Sequence, residues 1–132
     1  MFHYYDIGHA EVFIFDDFLI KQVREGELVD KEETLEFKVI LNEHFKGKNM
    51  AYISNRVFSY AVNPLVYKEA EKIPNLVAIA IIPSNEKTHP SAKYESQFYD
   101  RPFGIFKNLS DAIQWVHKII ERENSELNIK TM

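Results

Sequence analysis

Hydrophobic and polar positions change rhythm along the chain, and the rhythm lays out the elements. Phe2–Ile7, Ala10–Phe15 and Phe18–Val23 read as short strands, joined by turns at Gly8-His9 and Asp16-Asp17. In the second run Val12 and Ile14 share one face while Glu11, Phe13 and Phe15 share the other. That second face is mostly aromatic, which suits a place beneath a helix or at a dimer contact. Gly26 closes the strand region. From Lys31 to Phe45 the spacing becomes helical: Leu35, Phe37, Val39, Ile40, Leu41 and Phe45 make a wide apolar face, with Glu32, Glu33, Glu36, Lys38 and Glu43 mainly opposite. Asp30 and Glu33 have capping-box spacing at its start, and Gly47 is a natural stop.

Met50–Ser54 is a short apolar strand, followed by an irregular connection over Asn55–Val62. Asn63 suits a helix cap and Pro64 the first helical position, where its missing N–H costs nothing. This helix is expected to reach about Lys72, with Val66, Ala70 and Ile73 inward and Pro74 preventing continuation. Leu76–Ile82 is apolar on both faces, so it predicts a central strand covered on both sides. A turn-rich connection over Pro83–Pro90 leads to a predicted helix over Ser91–Phe98, with Tyr94 and Phe98 on one face. Phe103–Phe106 reads as a strand. Asn108-Leu-Ser-Asp111 then starts a helix reaching about Arg122, with Leu109, Ala112, Ile113, Val116, Ile119 and Ile120 in one stripe and Trp115 at its edge. Periodicity fades after Asn124. The expectation is one α/β domain over residues 1–124, a mixed sheet with an antiparallel amino-terminal hairpin and about four helices, and a flexible tail over 125–132.

Composition narrows the functional classes. The 132 residues, 45% of them hydrophobic, suffice for a single domain with a real core. A net charge of −4 gives no general attraction for phosphate backbones or anionic membranes, so no nucleic-acid partner is expected. Cysteine is absent, which removes disulfides, thiol nucleophiles and thiolate metal sites. Met1–Asp6 lacks the basic region and apolar core of a signal peptide, and the longest apolar run falls far short of the ~20 residues that span a bilayer. A cytoplasmic protein without membrane insertion is expected.

Three stretches resemble the SpoIIAA-like fold of STAS domains, especially the small bacterial proteins grouped as STAS/Sec14-like. They are Ala51-Tyr-Ile-Ser-Asn-Arg56 leading to Tyr60-Ala-Val-Asn-Pro64, Leu76–Ile82, and Phe103-Gly-Ile-Phe-Lys-Asn-Leu-Ser-Asp-Ala-Ile-Gln-Trp-Val116. The resemblance implies a small regulatory or protein-binding domain. In anti-sigma-factor antagonists of this fold a serine inside an Asp-Ser-Gly-type motif starts the helix after the equivalent central strand. Ser54 is instead followed by Asn55-Arg56, and Ser59 has no neighbouring Asp or Gly, so neither matches that motif.

The candidate chemistry is sparse. Asn55, Arg56, Ser59, Tyr60 and Asn63 combine donors, acceptors, a fixed positive charge and a helix start, a set that could hold a carboxylate or phosphate. Helix capping by Asn63 and packing of Tyr60 account for the same residues. Arg101 could join that pocket from the loop before the last strand, or make an ordinary salt bridge with Asp100 or a glutamate. His3, His9, His44, His89 and His117 form no metal-binding spacing, and no hydrolase elbow, Walker loop or dinucleotide loop occurs, so no metal or cofactor is expected. Asp16-Asp17 reads as a turn, not as paired acids. Phe2, Tyr4, Phe13, Phe15 and Phe18 would suit a homodimer or partner interface, or an aromatic core. The leading expectation is a non-catalytic regulatory or protein-interaction domain. The alternative is a domain binding a small anionic or lipid-like ligand, with simple hydrolysis in third place.

Overall fold

A computed structural model describes residues 2–29, 31–57, 61–84 and 89–131. Strands β1 (His3–Asp6), β2 (Ala10–Ile14) and β3 (Phe18–Val23) form an antiparallel meander, which β5 (Met50–Asn55), β7 (Leu76–Ile82) and β8 (Phe103–Ile105) continue in parallel. The sheet order is β1-β2-β3-β5-β7-β8. Every parallel crossover steps the same way along the sheet, and with the right-handed connection that twisted strands favour, this puts α1 (Lys31–Phe45), α2 (Val66–Ala70) and α3 (His89–Glu95) on one face. The final helix, α4 (Leu109–Thr131), takes the other.

Both faces of the central strands are therefore buried. All seven residues of β7 are in the core, as its unbroken apolar run requires. On the α4 side Ala51, Ala78 and Ala80 face Ala112 and Val116, and these small side chains let the helix lie close to the sheet. Gly104 extends that surface: a Cβ there would stand 2.5 Å from the Phe106 ring and 3.3 Å from Trp115. On the opposite side Leu19, Ile79 and Ile81 pack with Ile40, Leu41 and Phe45 of α1 and with Val66 and Tyr67 of α2.

Several elements depart from the sequence expectation. Val39, placed on the apolar face of α1, is 68% exposed, and among the described side chains of that helix the buried side carries Ile40, Leu41 and Phe45; Leu35 and Phe37 lie outside the described side chains. The capping residue Asp30 lies outside the described residues. The region from Asn63 to Ile73 is mostly a succession of i→i+3 bonds, so α2 is far shorter than the predicted helix. Two short strands, β4 (Leu28–Val29) and β6 (Ala61–Val62), pair in parallel as a separate small sheet. They are too short to leave a periodic signal. In α3 the inward side carries Ala92 and Glu95, whereas Tyr94 is 55% exposed; a 3-10 turn follows over Ser96–Phe98. The last helix continues past Arg122 to Thr131, through a segment free of Gly and Pro in which Glu and Lys favour the helix.

Candidate functional site

The carboxyl ends of β3, β5 and β7 lie along one edge of the sheet, where the chain leaves each parallel strand. Alternation along β5 turns Tyr52 and Ser54 toward the face covered by α1, α2 and α3, and Arg56 follows in the same phase. Lys21 of β3 is register partner of Ser54. It sits in an inward row with Leu19 and Val23 and is only 4% exposed. Four buried polar or charged residues thus gather among apolar neighbours: Lys21, Ser54, Arg56 and Glu95.

Arg56 and Glu95 make a forked ion pair. Nη1 donates to Oε2 at 2.6 Å and Nη2 to Oε1 at 2.5 Å. The Tyr67 hydroxyl donates to the same Oε1 at 2.5 Å, and Arg56 Nε reaches Ser54 Oγ at 3.4 Å. Burial, and then the adjacent Glu95 carboxylate, hold the Tyr67 hydroxyl well above the usual tyrosine range, so it remains a donor at any physiological pH. The cluster ties three elements together: β5 supplies the arginine, α2 the tyrosine and α3 the carboxylate. A cavity of about 50 Å³ lies beside it, lined by Lys21, Ser54, Arg56 and Tyr67 together with apolar side chains from Val29, Val62, Val66 and Ile79. That space suits a few waters or a small ion; pockets for drug-sized ligands start at roughly 300 Å³.

The expected ligand cluster is only partly assembled. Arg56 reaches the cavity wall, but its fork is already occupied by Glu95. By alternation Asn55 points to the α4 side, and it does not line the cavity. Ser59 and Tyr60 lie outside the described residues. Asn63 takes a turn-forming role: its Oδ1 accepts from Leu65 N–H at 3.1 Å and its own N–H donates to Val29 at 2.9 Å. Arg101 is at the opposite edge of the sheet. Its guanidinium donates to the carbonyls of Ile73 and Leu76, each at 2.6 Å, and to that of Glu71. The expectation that it shares the Arg56 pocket fails because a loop entering a parallel strand and a loop leaving one occupy opposite edges. Ser54 is wholly buried, which closes it to a modifying enzyme in this conformation.

Sequence reading missed Lys21, Tyr67 and Glu95. Lys21 carried a usable signal, a charge at the inward phase of an otherwise apolar strand row. Glu95 carried none, since its partner stands 39 residues away. Among the described residues no group of three His, Cys, Asp or Glu side chains could hold a metal ion.

The amino-terminal hairpin is the second candidate surface. Its α1 side is covered: the Tyr5 hydroxyl meets His44 Nε2 at 2.5 Å, and Val12 and Ile14 are buried. Its other side carries Phe2, 56% exposed, and Tyr4, 47% exposed, with Phe13 and Phe15 half-buried. Phe2 stacks on Phe15 at 5.6 Å and Tyr4 tilts against Phe13 at 5.2 Å. Helix α4 lies across β5 and β7, and His117 marks its approach to the β2–β3 turn, 3.4 Å from Asp17. An open groove of about 420 Å³ remains there, bounded by Phe2, Phe15 and Asp16. Phe18, grouped with the interface from sequence, is instead a core residue at 6% exposure, stacked beneath Phe15 at 4.8 Å.

The meander leading into a parallel sheet, with three helices on one face and one on the other, defines a SpoIIAA-like α/β fold. The chain is similar to an uncharacterised protein of the DUF3478 family from Shewanella loihica PV-4, whose crystal structure is described as having that fold. The two superpose with a TM-score of 0.52 at 12% identity, over 88% of this chain and 92% of that one. At that identity the likeness concerns the fold alone. No protein-family model and no curated protein matches the chain. No helix among the described residues is long and apolar enough to cross a membrane.

Proposed function

We propose that the protein is a non-catalytic protein-interaction domain that uses its amino-terminal hairpin as the contact surface and assembles as a homodimer. The observation that carries this reading is the uncovered aromatic side of β1 and β2, where Phe2 and Tyr4 stand exposed at the sheet's edge. The buried charged cluster supports it by contrast, because its arginine, tyrosine and carboxylate engage one another. Light scattering across a wide concentration range tests the reading. A dimer is expected, and a monomer at every concentration would defeat it.

A second reading has its own observation. Lys21, Ser54 and Arg56 back the cavity at the carboxyl edge, a setting for a small anion. Its volume is too small for an acyl chain. Ligand-detected NMR with small carboxylates and phosphate should then show saturable binding that Arg56→Ala abolishes in a folded protein. Binding unchanged by that substitution would remove Arg56 from the site.

A further inference from the structure

The main-chain groups of β1 alternate between two directions. Ile7 N–H donates to the Ala10 carbonyl at 3.0 Å, so Ile7 faces β2, and the alternation carries the same direction to Tyr5 and His3, partners of Val12 and Ile14. The N–H and C=O groups of Phe2, Tyr4 and Asp6 therefore point away from the sheet, along an edge that no described strand pairs. Edge strands are ordinarily guarded by lysine, proline, a bulge or a covering element. The other edge of this sheet is guarded: β8 has three residues, follows Pro102 and has α3 packed beside it. The sequence of β1, His-Tyr-Tyr-Asp, contains neither lysine nor proline, and its pairing with β2 is regular.

We propose that β1 pairs with β1 of a second copy of this chain, antiparallel about a two-fold axis at Tyr4, joining two sheets into one. The proposal rests on the reading of the hairpin as the contact surface and adds its occupant and register. A copy of the same strand is self-complementary, because two-fold symmetry sets each outward N–H opposite an outward C=O. An axis at Tyr4 exchanges bonds between the two Tyr4 residues and places Phe2 opposite Asp6 of the second copy, so all three outward residues are used. An axis at Tyr5 would leave Phe2 out. Side-chain chemistry favours the same choice. Phe2, Tyr4 and Asp6 share the uncovered side, and Arg24 holds Asp6 there at 3.0 and 3.2 Å. The exposed Phe2 ring then meets the guanidinium of the second copy, a cation–π contact in each half.

The test uses Tyr4→Pro and Tyr4→Cys in the full chain. Proline at position 4 removes an N–H that makes no bond to β2, so circular dichroism should be unchanged while the mass falls from twice 15.5 kDa to 15.5 kDa. Hydrogen-bonded antiparallel partners have Cα atoms about 5.5 Å apart, within disulfide reach. In this cysteine-free chain Tyr4→Cys should oxidise to a covalent dimer, and Val39→Cys on exposed α1 should not. A wild-type monomer throughout overturns both the assembly and its register. A wild-type dimer that resists Tyr4→Pro and fails to cross-link through Tyr4→Cys overturns the register while leaving the interaction reading in place. If Tyr4→Pro fails to fold, the cross-link decides.

Discussion

Two arginine–carboxylate forks lie on opposite faces of this sheet, and they differ mainly in how much water they see. Arg56 and Glu95, with side chains 10% and 7% exposed, meet at 2.5 Å beneath the helical layer. Arg24 and Asp6, 39% and 55% exposed, meet at 3.0 Å on the hairpin. The bonding pattern is the same, two N–H groups on two carboxylate oxygens. In the buried fork bulk water cannot take the place of a lost partner, so the pair constrains where α2 and α3 sit against β5. Water stands ready to replace either member of the exposed fork. That pair orients side chains at the surface proposed above as the contact with a second copy.

Cutting the buried fork should give the largest effect. Glu95→Ala leaves an uncompensated guanidinium, and denaturant unfolding should show a loss of about 3–5 kcal/mol. Replacing both partners by Arg56→Met and Glu95→Leu should restore most of it if the pair only braces the fold. A double variant as unstable as the single one would mean that packing around the pair, not its charge, is decisive. Tyr67→Phe removes one donor to a charged acceptor and should cost about 1–3 kcal/mol.

Alkaline pH probes the same face of the sheet. Burial raises Tyr67 well above its usual value and Tyr99 to about 12, while unfolded tyrosines ionise near ~10. Between those values the unfolded chain has lost protons that the folded chain retains, so stability should fall as pH rises above about 10. Tyr67→Phe should soften the slope of that decline, measured by urea midpoints at successive pH values. An unchanged slope would assign the decline to other groups.

The hairpin should respond the other way. Phe2→Ser, at a residue already largely exposed, should shift stability by no more than about 0.5 kcal/mol while weakening the proposed dimer, as followed by light scattering. A large stability loss would make Phe2 a core residue and blur the contrast. The smallest effect is expected from Arg24→Ala, with no measurable change in the urea midpoint. The hydrogen bond from Arg24, followed by that from Gly8 N–H, holds the Asp6 carboxyl below its usual range. Carboxyl NMR titration should show it rising toward the ordinary aspartate value in Arg24→Ala.

Much of the fold was legible because its signals are local. The inward alternation of Val12 and Ile14, the unbroken run Leu76–Ile82 and the helical stripe from Leu109 to Ile120 each report burial within one element. The helix over Lys31–Phe45 and the strand over Phe18–Val23 have the expected bounds. The candidate site was less legible. Arg56 stood out, but its engagement with Glu95 did not; Arg101 meets Asp100 at 4.0 Å, as one of its two expected roles required, and misses the Arg56 pocket because it precedes its strand while Arg56 follows one. Phe18 looked like its aromatic neighbours, yet α4 and Phe15 cover it.

The sequence by itself determined which segments alternate, which are apolar throughout and where turns interrupt them, since period and turn chemistry act over a few neighbouring residues. Only the tertiary structure decided that the Arg56 charge is answered by Glu95 and that α4 stops short of the hairpin. Both depend on which surfaces meet when crossovers stepping in one direction stack three helices on one face of the sheet and leave one helix for the other.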